Sequence, residues 1–182
     1  MLASIGYRFL LWLVGHGAWI FPASGVNLLQ LVEDDLAQRF DVIAHVQPEA
    51  LAARLEAPAT NVVLFDVRTV REFNVSHIAA SVRVDPEMKP EEFQKRFAHM
   101  MFERDVVFYC SVGLRSCAFA ERMRSAAVEA RAGHVRNLRG GVFRWHNERR
   151  PLVNSDGSTD EIDPFNAYWS RFLRSKRSPV IS

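Results

Sequence analysis

Cysteine is nearly absent: the 182 residues contain two, Cys110 and Cys117. Two thiols build no disulfide framework. So sparse a use suits a reducing compartment such as the cytoplasm, where a cysteine is either catalytic or simply buried. An excess of one charge is also lacking. The 23 Lys and Arg against 21 Asp and Glu leave a net +2, so no nucleic-acid partner is expected. No apolar run reaches the roughly 20 residues of a bilayer-spanning helix. The nearest, Phe9 to Phe21, is interrupted by Gly15, His16 and Gly17. Internal repeats and low-complexity segments are missing too. What remains is ordinary globular composition, 48% hydrophobic and 24% charged. That excludes a disordered or fibrous chain, and it suffices for one core without a metal or disulfide staple.

Phe9 to Phe21 allows three readings. It forms a helix covering an apolar face of the domain; or, with Arg8 before it and Ala23-Ser24-Gly25 after it, a secretory signal; or, through Trp12 and Trp19, a segment contacting a membrane surface. The second and third would make the protein secreted, periplasmic or membrane-associated.

Further on, apolar spacing predicts helices over Asn27 to Phe40, with Asn27 as N-cap, from Pro48 onward, over Thr69 to Phe73, over Lys89 to Met101 and over Ser116 to Val128. Strands are expected at Asp41 to Val46, Asn61 to Val67, Ser81 to Val84, Asp105 to Tyr109 and His134 to Leu138. The unbroken apolar runs VVLF and VVFY suit strands buried on both faces, as in a parallel sheet covered by helices. The alternation predicts an α/β domain. Gly140-Gly141 turns into a short helix around Trp145. Asn154 to Asp163 reads as a loop, Pro164 to Arg174 as a terminal helix, and Ser175 to Ser182 as a basic tail.

The segment Asp105 to Met123 carries the chemistry. A buried strand ends at Tyr109, and Cys110-Ser111-Val112-Gly113-Leu114-Arg115 leads into the helix expected from Ser116. A short loop curling from strand to helix turns successive N–H groups inward, and such a concavity binds anions. The helix N-terminus adds partial positive charge, Gly113 permits the backbone turn, and Arg115 adds a cation. Together these favour the thiolate of Cys110, the form that acts as a nucleophile. A core cysteine closing a strand is the plain alternative.

Three blocks, LFDVRTVREFNVSHI (Leu64 to Ile78), VVFYCSVGLRS (Val106 to Ser116) and LRGGVFRW (Leu138 to Trp145), make the chain resemble single-domain rhodanese-like proteins. The resemblance covers about Asp41 to Phe172. It implies a three-layer α/β sandwich around a central, mostly parallel five-stranded sheet. Residues 1–40 would be an N-terminal extension, 41–153 the rhodanese-like domain and 154–182 a C-terminal loop, helix and tail. It also implies sulfurtransferase activity. Cys110 takes a sulfane sulfur from thiosulfate or a persulfide, holds it as a persulfide, and passes it to cyanide or a thiol, on a small molecule or an acceptor protein. Residues Ser111, Val112, Gly113, Leu114, Arg115 and Ser116 form the substrate-binding loop. Asp66, Arg68 and Glu72 become framework residues beside it, with Glu72 as the expected partner of Arg68, and His77 a packing residue. No metal or organic cofactor is implied.

The chain departs from the family pattern at Ser76, at Ala79-Ala80-Ser81, and at Ser111 and Val112, which stand where more basic residues are common. The last pair makes the cradle less positive and weighs against thiosulfate as donor. A related group of phosphatases and arsenate reductases uses Cys-x5-Arg, a wider loop than the Cys-x4-Arg from Cys110 to Arg115. That activity, or a non-catalytic binding module, is the alternative. Cys117 is either buried packing or a resolving thiol. Arg139, Arg144, Arg149 and Arg150 either steer anions or form polar surface.

Overall fold

The computed structural model describes residues 27–174; the readings for Phe9 to Phe21 and for the tail after Arg174 lie outside them. Five parallel strands form the central sheet: β1 (Ala44–Val46), β2 (Val62–Asp66), β3 (Val82–Arg83), β4 (Asp105–Tyr109) and β5 (Val135–Leu138), in the order β1-β5-β4-β2-β3. β2 and β4 run side by side, with Val62 opposite Asp105 and Asp66 opposite Tyr109. Both are buried along their whole length, as their unbroken apolar runs predict. Their side chains alternate between the two faces. Val63, Phe65, Val106 and Phe108 enter one apolar cluster; Val62, Leu64, Val107 and Tyr109 enter the other.

Helices cover both faces: α1 (Leu28–Arg39), α2 (Pro48–Glu56), α3 (Val70–Val75), α4 (Pro90–Met101), α5 (Leu114–Glu129) and α6 (Gly141–Asn147). Proline at the first turn starts α2 and α4, where its missing N–H costs nothing. Asn27 caps α1 by accepting from the Gln30 N–H at 3.4 Å. Phe93, Phe97 and Met101 bury one face of α4. Phe93 meets Phe65, Phe108 and Phe119 with ring centroids 5.1 to 5.7 Å apart. No described helix is long and apolar enough to cross a membrane.

Two C-terminal expectations are corrected. The stretch read as a loop, Asn154 to Asp163, instead carries the turn and second strand of a hairpin in which β6 (Leu152–Asn154) pairs with β7 (Gly157–Thr159). The turn fits its residues: Asn154 Oδ1 accepts from the Asp156 N–H, and Gly157 takes φ +118°. A bridge between His77 and Val153 ties the hairpin to the domain. The expected helix from Pro164 shrinks to a 3-10 turn, Trp169–Phe172. Asp163 accepts from Phe165 N–H, and Asn166 accepts from those of Tyr168 and Trp169. Such short side chains offer the backbone an alternative to helix.

Candidate active site

β4 is the third strand of five, so its end opens near the middle of the sheet's carboxyl edge, where open α/β sheets hold ligands. Cys110 follows it directly and is only 1% exposed. The Gly113 N–H donates to Cys110 Sγ at 3.3 Å. Gly113 takes φ +105° as the N-cap of α5, a conformation that residues with a Cβ rarely adopt. α5 therefore begins at Leu114, not at Ser116 as expected. Its first helical bond runs from the Cys117 N–H to Gly113 O at 2.9 Å. The N–H groups of Leu114, Arg115 and Ser116 precede the helix's own acceptors, so the positive end of α5 lies at the cysteine loop.

The remaining loop side chains are committed. Ser111 Oγ donates to Glu72 Oε1 at 2.9 Å. Val112 is buried in the apolar cluster of the β2 Val62 face. Leu114 packs against both clusters. Ser116 Oγ donates toward Gly113 O and to Asn137 Oδ1, the latter at 2.6 Å. What the loop can offer a ligand is thus mostly backbone N–H.

The framework residues are brought together, with one exchange of partners. Glu72 forms no hydrogen bond with Arg68, although its charge helps hold Arg68 protonated. Its carboxylate takes Arg115 in a two-pronged pair, Nη2 to Oε1 at 2.6 Å and Nη1 to Oε2 at 2.9 Å. The same Oε2 accepts from the Thr69 N–H and hydroxyl, completing the capping box of α3. Glu72 thereby joins the start of α3 to the cysteine loop 43 residues away. Arg68 lies fully buried on Asp66, with Nη2 to Oδ2 at 2.6 Å, and donates to Ser76 O. Burial works against its charge, but Asp66 more than offsets this and raises its pKa.

Burial alone would raise the Glu72 pKa, but the bonds from Arg115 and Thr69 pull it down to about 2. A carboxylate depressed when folded stabilises above its unfolded pKa and loses that contribution as pH falls toward the folded value. Stability is therefore expected to drop between about pH 4.5 and 2, with Glu72 supplying up to about 3 kcal/mol of the drop. Denaturant midpoints across this range should fall less steeply in Glu72→Gln, which cannot titrate.

The loop is also held from behind. The Val142 and Phe143 N–H groups, at the start of α6, donate to the carbonyls of Cys110 and Ser111, both at 2.9 Å. This needs an approach too close for a side chain: a Cβ on Gly141 would lie 2.6 Å from Ser111 O. The glycine pair of LRGGVFRW thus belongs to the site. Sequence reading expects α1 but not its place beside the loop. Leu36 lies against Gly113, and buried Glu33 accepts from Arg139 and Arg144, both at 2.9 Å. It also missed Phe165, whose ring centroid is 5.4 Å from the Arg115 guanidinium. Cys117 lies at full burial on α5 in the core, where desolvation pushes its thiol well up. His77 stacks on Phe73 at 3.8 Å and pairs with its carbonyl, as a packing residue does. Among the described residues no cluster of His, Cys, Asp or Glu could hold a metal.

Comparison with known proteins matches residues 47–148 to the rhodanese-like domain family. A sulfurtransferase of Allochromatium vinosum is 30% identical over 119 residues, spanning 64% of this chain and all of that protein. A thiosulfate sulfurtransferase of Pseudomonas aeruginosa superimposes with a TM-score of 0.54 at 21% identity, over 77% of this chain and 26% of the other. A Rhodopseudomonas palustris protein described as of unknown function, a possible tyrosine phosphatase, reaches 0.50 at 20% identity, over 72% of this chain and 98% of its own. At these identities the two structures attest the shared fold.

Proposed function

Since the chain belongs to the rhodanese-like domain family, we propose that it is a sulfurtransferase working by double displacement through a persulfide on Cys110. The observation that carries this reading is the Gly113 N–H aimed at Cys110 Sγ where β4 ends and α5 begins. A sulfur placed there faces backbone donors that need no rearrangement as negative charge develops on it. The Cys110 thiolate attacks the outer sulfur of a donor and the first product leaves. Cys110–S–S⁻ remains, stabilised by the same amides. A thiol or cyanide then takes the outer sulfur and restores the thiolate. The chemistry is assigned to residues 41–153 and uses no metal or organic cofactor. A thiolate that must stay reduced suits a reducing compartment such as the cytoplasm.

The wider-loop phosphatase alternative is disfavoured by two features. Arg115 follows Cys110 after four residues, and its guanidinium is tied to Glu72 rather than open to a tetrahedral oxyanion. Initial rates of thiocyanate formation, with donor and cyanide varied together, should give parallel double-reciprocal lines, the pattern of a covalent intermediate between two half-reactions. Intersecting lines would reject double displacement. Turnover of an aryl phosphate with no thiocyanate formed would favour the phosphatase reading.

A further inference from the structure

We propose that the donor is a singly charged organic sulfane-sulfur compound, a persulfide or thiosulfonate, rather than the inorganic dianion thiosulfate, and that its organic group lies on the ring of Phe165. The inference rests on sulfur transfer at Cys110 and names the donor class. It starts from the charge around the loop. Arg115 is the one basic residue between Cys110 and Ser116, and it is half of a two-pronged pair with Glu72. The Ser111 hydroxyl faces the same carboxylate. Arg68 is neutralised by Asp66, and Arg139 and Arg144 share buried Glu33 behind the Gly140-Gly141 turn. Arg71, beside Glu72 in the chain, is held by Asp163 at 3.1 Å. What attracts an anion here is backbone N–H and the end of α5, which is partial charge. Repulsion from the thiolate doubles when the incoming donor carries two charges instead of one, and no unpaired cation of the loop offsets it.

The second observation is Phe165. Its φ of +65° is an outlier for a bulky side chain, and contacts on both sides enforce it. Asp163 Oδ1 accepts from its N–H at 2.7 Å, and Arg71 Nη2 donates to its carbonyl at 3.2 Å. The ring held this way is 40% exposed and lies beside Arg115, which itself donates to the Ser111 hydroxyl at 2.9 Å. A partly exposed aromatic side chain stacked on Arg115, and so one side chain from Ser111, is a surface for an organic group. Outliers of this kind persist where surrounding contacts over-determine them, and they concentrate at ligand sites.

The chemistry balances for either donor. The Cys110 thiolate bonds to the outer sulfur of RSO₂–S⁻ or RS–S⁻. The donor S–S bond breaks and its electron pair leaves on the sulfinate or thiolate. Cyanide later removes that sulfur as thiocyanate. No proton, electron or further reactant is required.

The test uses the full chain with thiosulfate, methanethiosulfonate and benzenethiosulfonate. Cyanide is the acceptor, and each kcat/KM is divided by that donor's uncatalysed rate with cyanide. Methanethiosulfonate should exceed thiosulfate by about tenfold or more, the lower end of the range over which charge alters encounter. Benzenethiosulfonate should gain roughly a further fivefold to tenfold from its ring. In Phe165→Ala the ratio of benzenethiosulfonate to methanethiosulfonate turnover should fall to about one; a purely structural Phe165 would slow all three donors alike and leave that ratio intact. Thiosulfate matching or beating methanethiosulfonate overturns the donor class and leaves sulfur transfer standing. A ring gain that survives in Phe165→Ala overturns the assigned surface. Failure of all three donors to load Cys110 overturns sulfur transfer and this inference with it.

Discussion

Cys110→Ser is expected to lose thiocyanate formation by roughly 10⁴-fold or more, the scale on which removing a covalent nucleophile acts. Folding should change little. Serine is close to cysteine in shape, its oxygen can accept the bond from the Gly113 N–H, and the carbonyl of residue 110 still receives the Val142 N–H at 2.9 Å. Thiocyanate assay alongside urea unfolding separates the two effects. Residual turnover within tenfold of the parent would mean that another group carries the sulfur. Cys117 is the obvious second thiol, but it lies in the core on α5 with its ionisation suppressed by burial. Cys117→Ser should therefore keep the transfer activity that Cys110→Ser loses.

Gly141→Ala should have the second largest effect, although the residue touches no reacting atom. Gly141 sits at φ +57°, and a Cβ there would run into the carbonyl oxygens of Cys110 and Ser111. The left-handed conformation costs a non-glycine residue about 1–2 kcal/mol. Overlap with fixed backbone adds about 1–3 kcal/mol. To relieve it, the cysteine loop must move away from α6, breaking the bonds from Val142 and Phe143 that hold it. The expected outcome is a loss of about 2–5 kcal/mol in urea unfolding, together with loss of transfer in whatever fraction stays folded. Gly157→Ala is the control. Its φ is also positive, at +118°, but no atom lies within 4 Å of its added Cβ, so activity should persist.

The parts of this architecture legible in the sequence are those set by neighbours in the chain. β2 and β4 are visible because unbroken apolar runs have one use in an α/β domain. The strand, cysteine, glycine and helix order of 105–123 is local and places Cys110 at the sheet edge before any tertiary contact is known. The start of α5 is misplaced by two residues because its cap is Gly113 in a left-handed turn, with no Ser or Asp to signal it. The partner of Glu72 is misread for a different reason. Arg68 lies four residues away and Arg115 lies 43 away, and chain distance carries no information on which arginine the fold delivers. Leu36 and Phe165 reach the loop, and Glu33 the Gly140-Gly141 turn behind it, from segments outside the three sequence blocks, and nothing local marks them. The terminal aromatics Phe165, Tyr168, Trp169 and Phe172 have helical spacing, yet Asp163 and Asn166 bond to the backbone first and prevent the helix.

The central claim is that the sulfur of Cys110 carries a second sulfur between two reactions. Intact mass followed by peptide mapping under non-reducing conditions tests it most directly, on protein incubated with a sulfane donor and then chased with cyanide. The account predicts a gain of one sulfur atom, located on the peptide containing Cys110 and removed by cyanide with one thiocyanate released. A protein that gains no sulfur, or gains it on Cys117 with Cys110 unmodified, would contradict it.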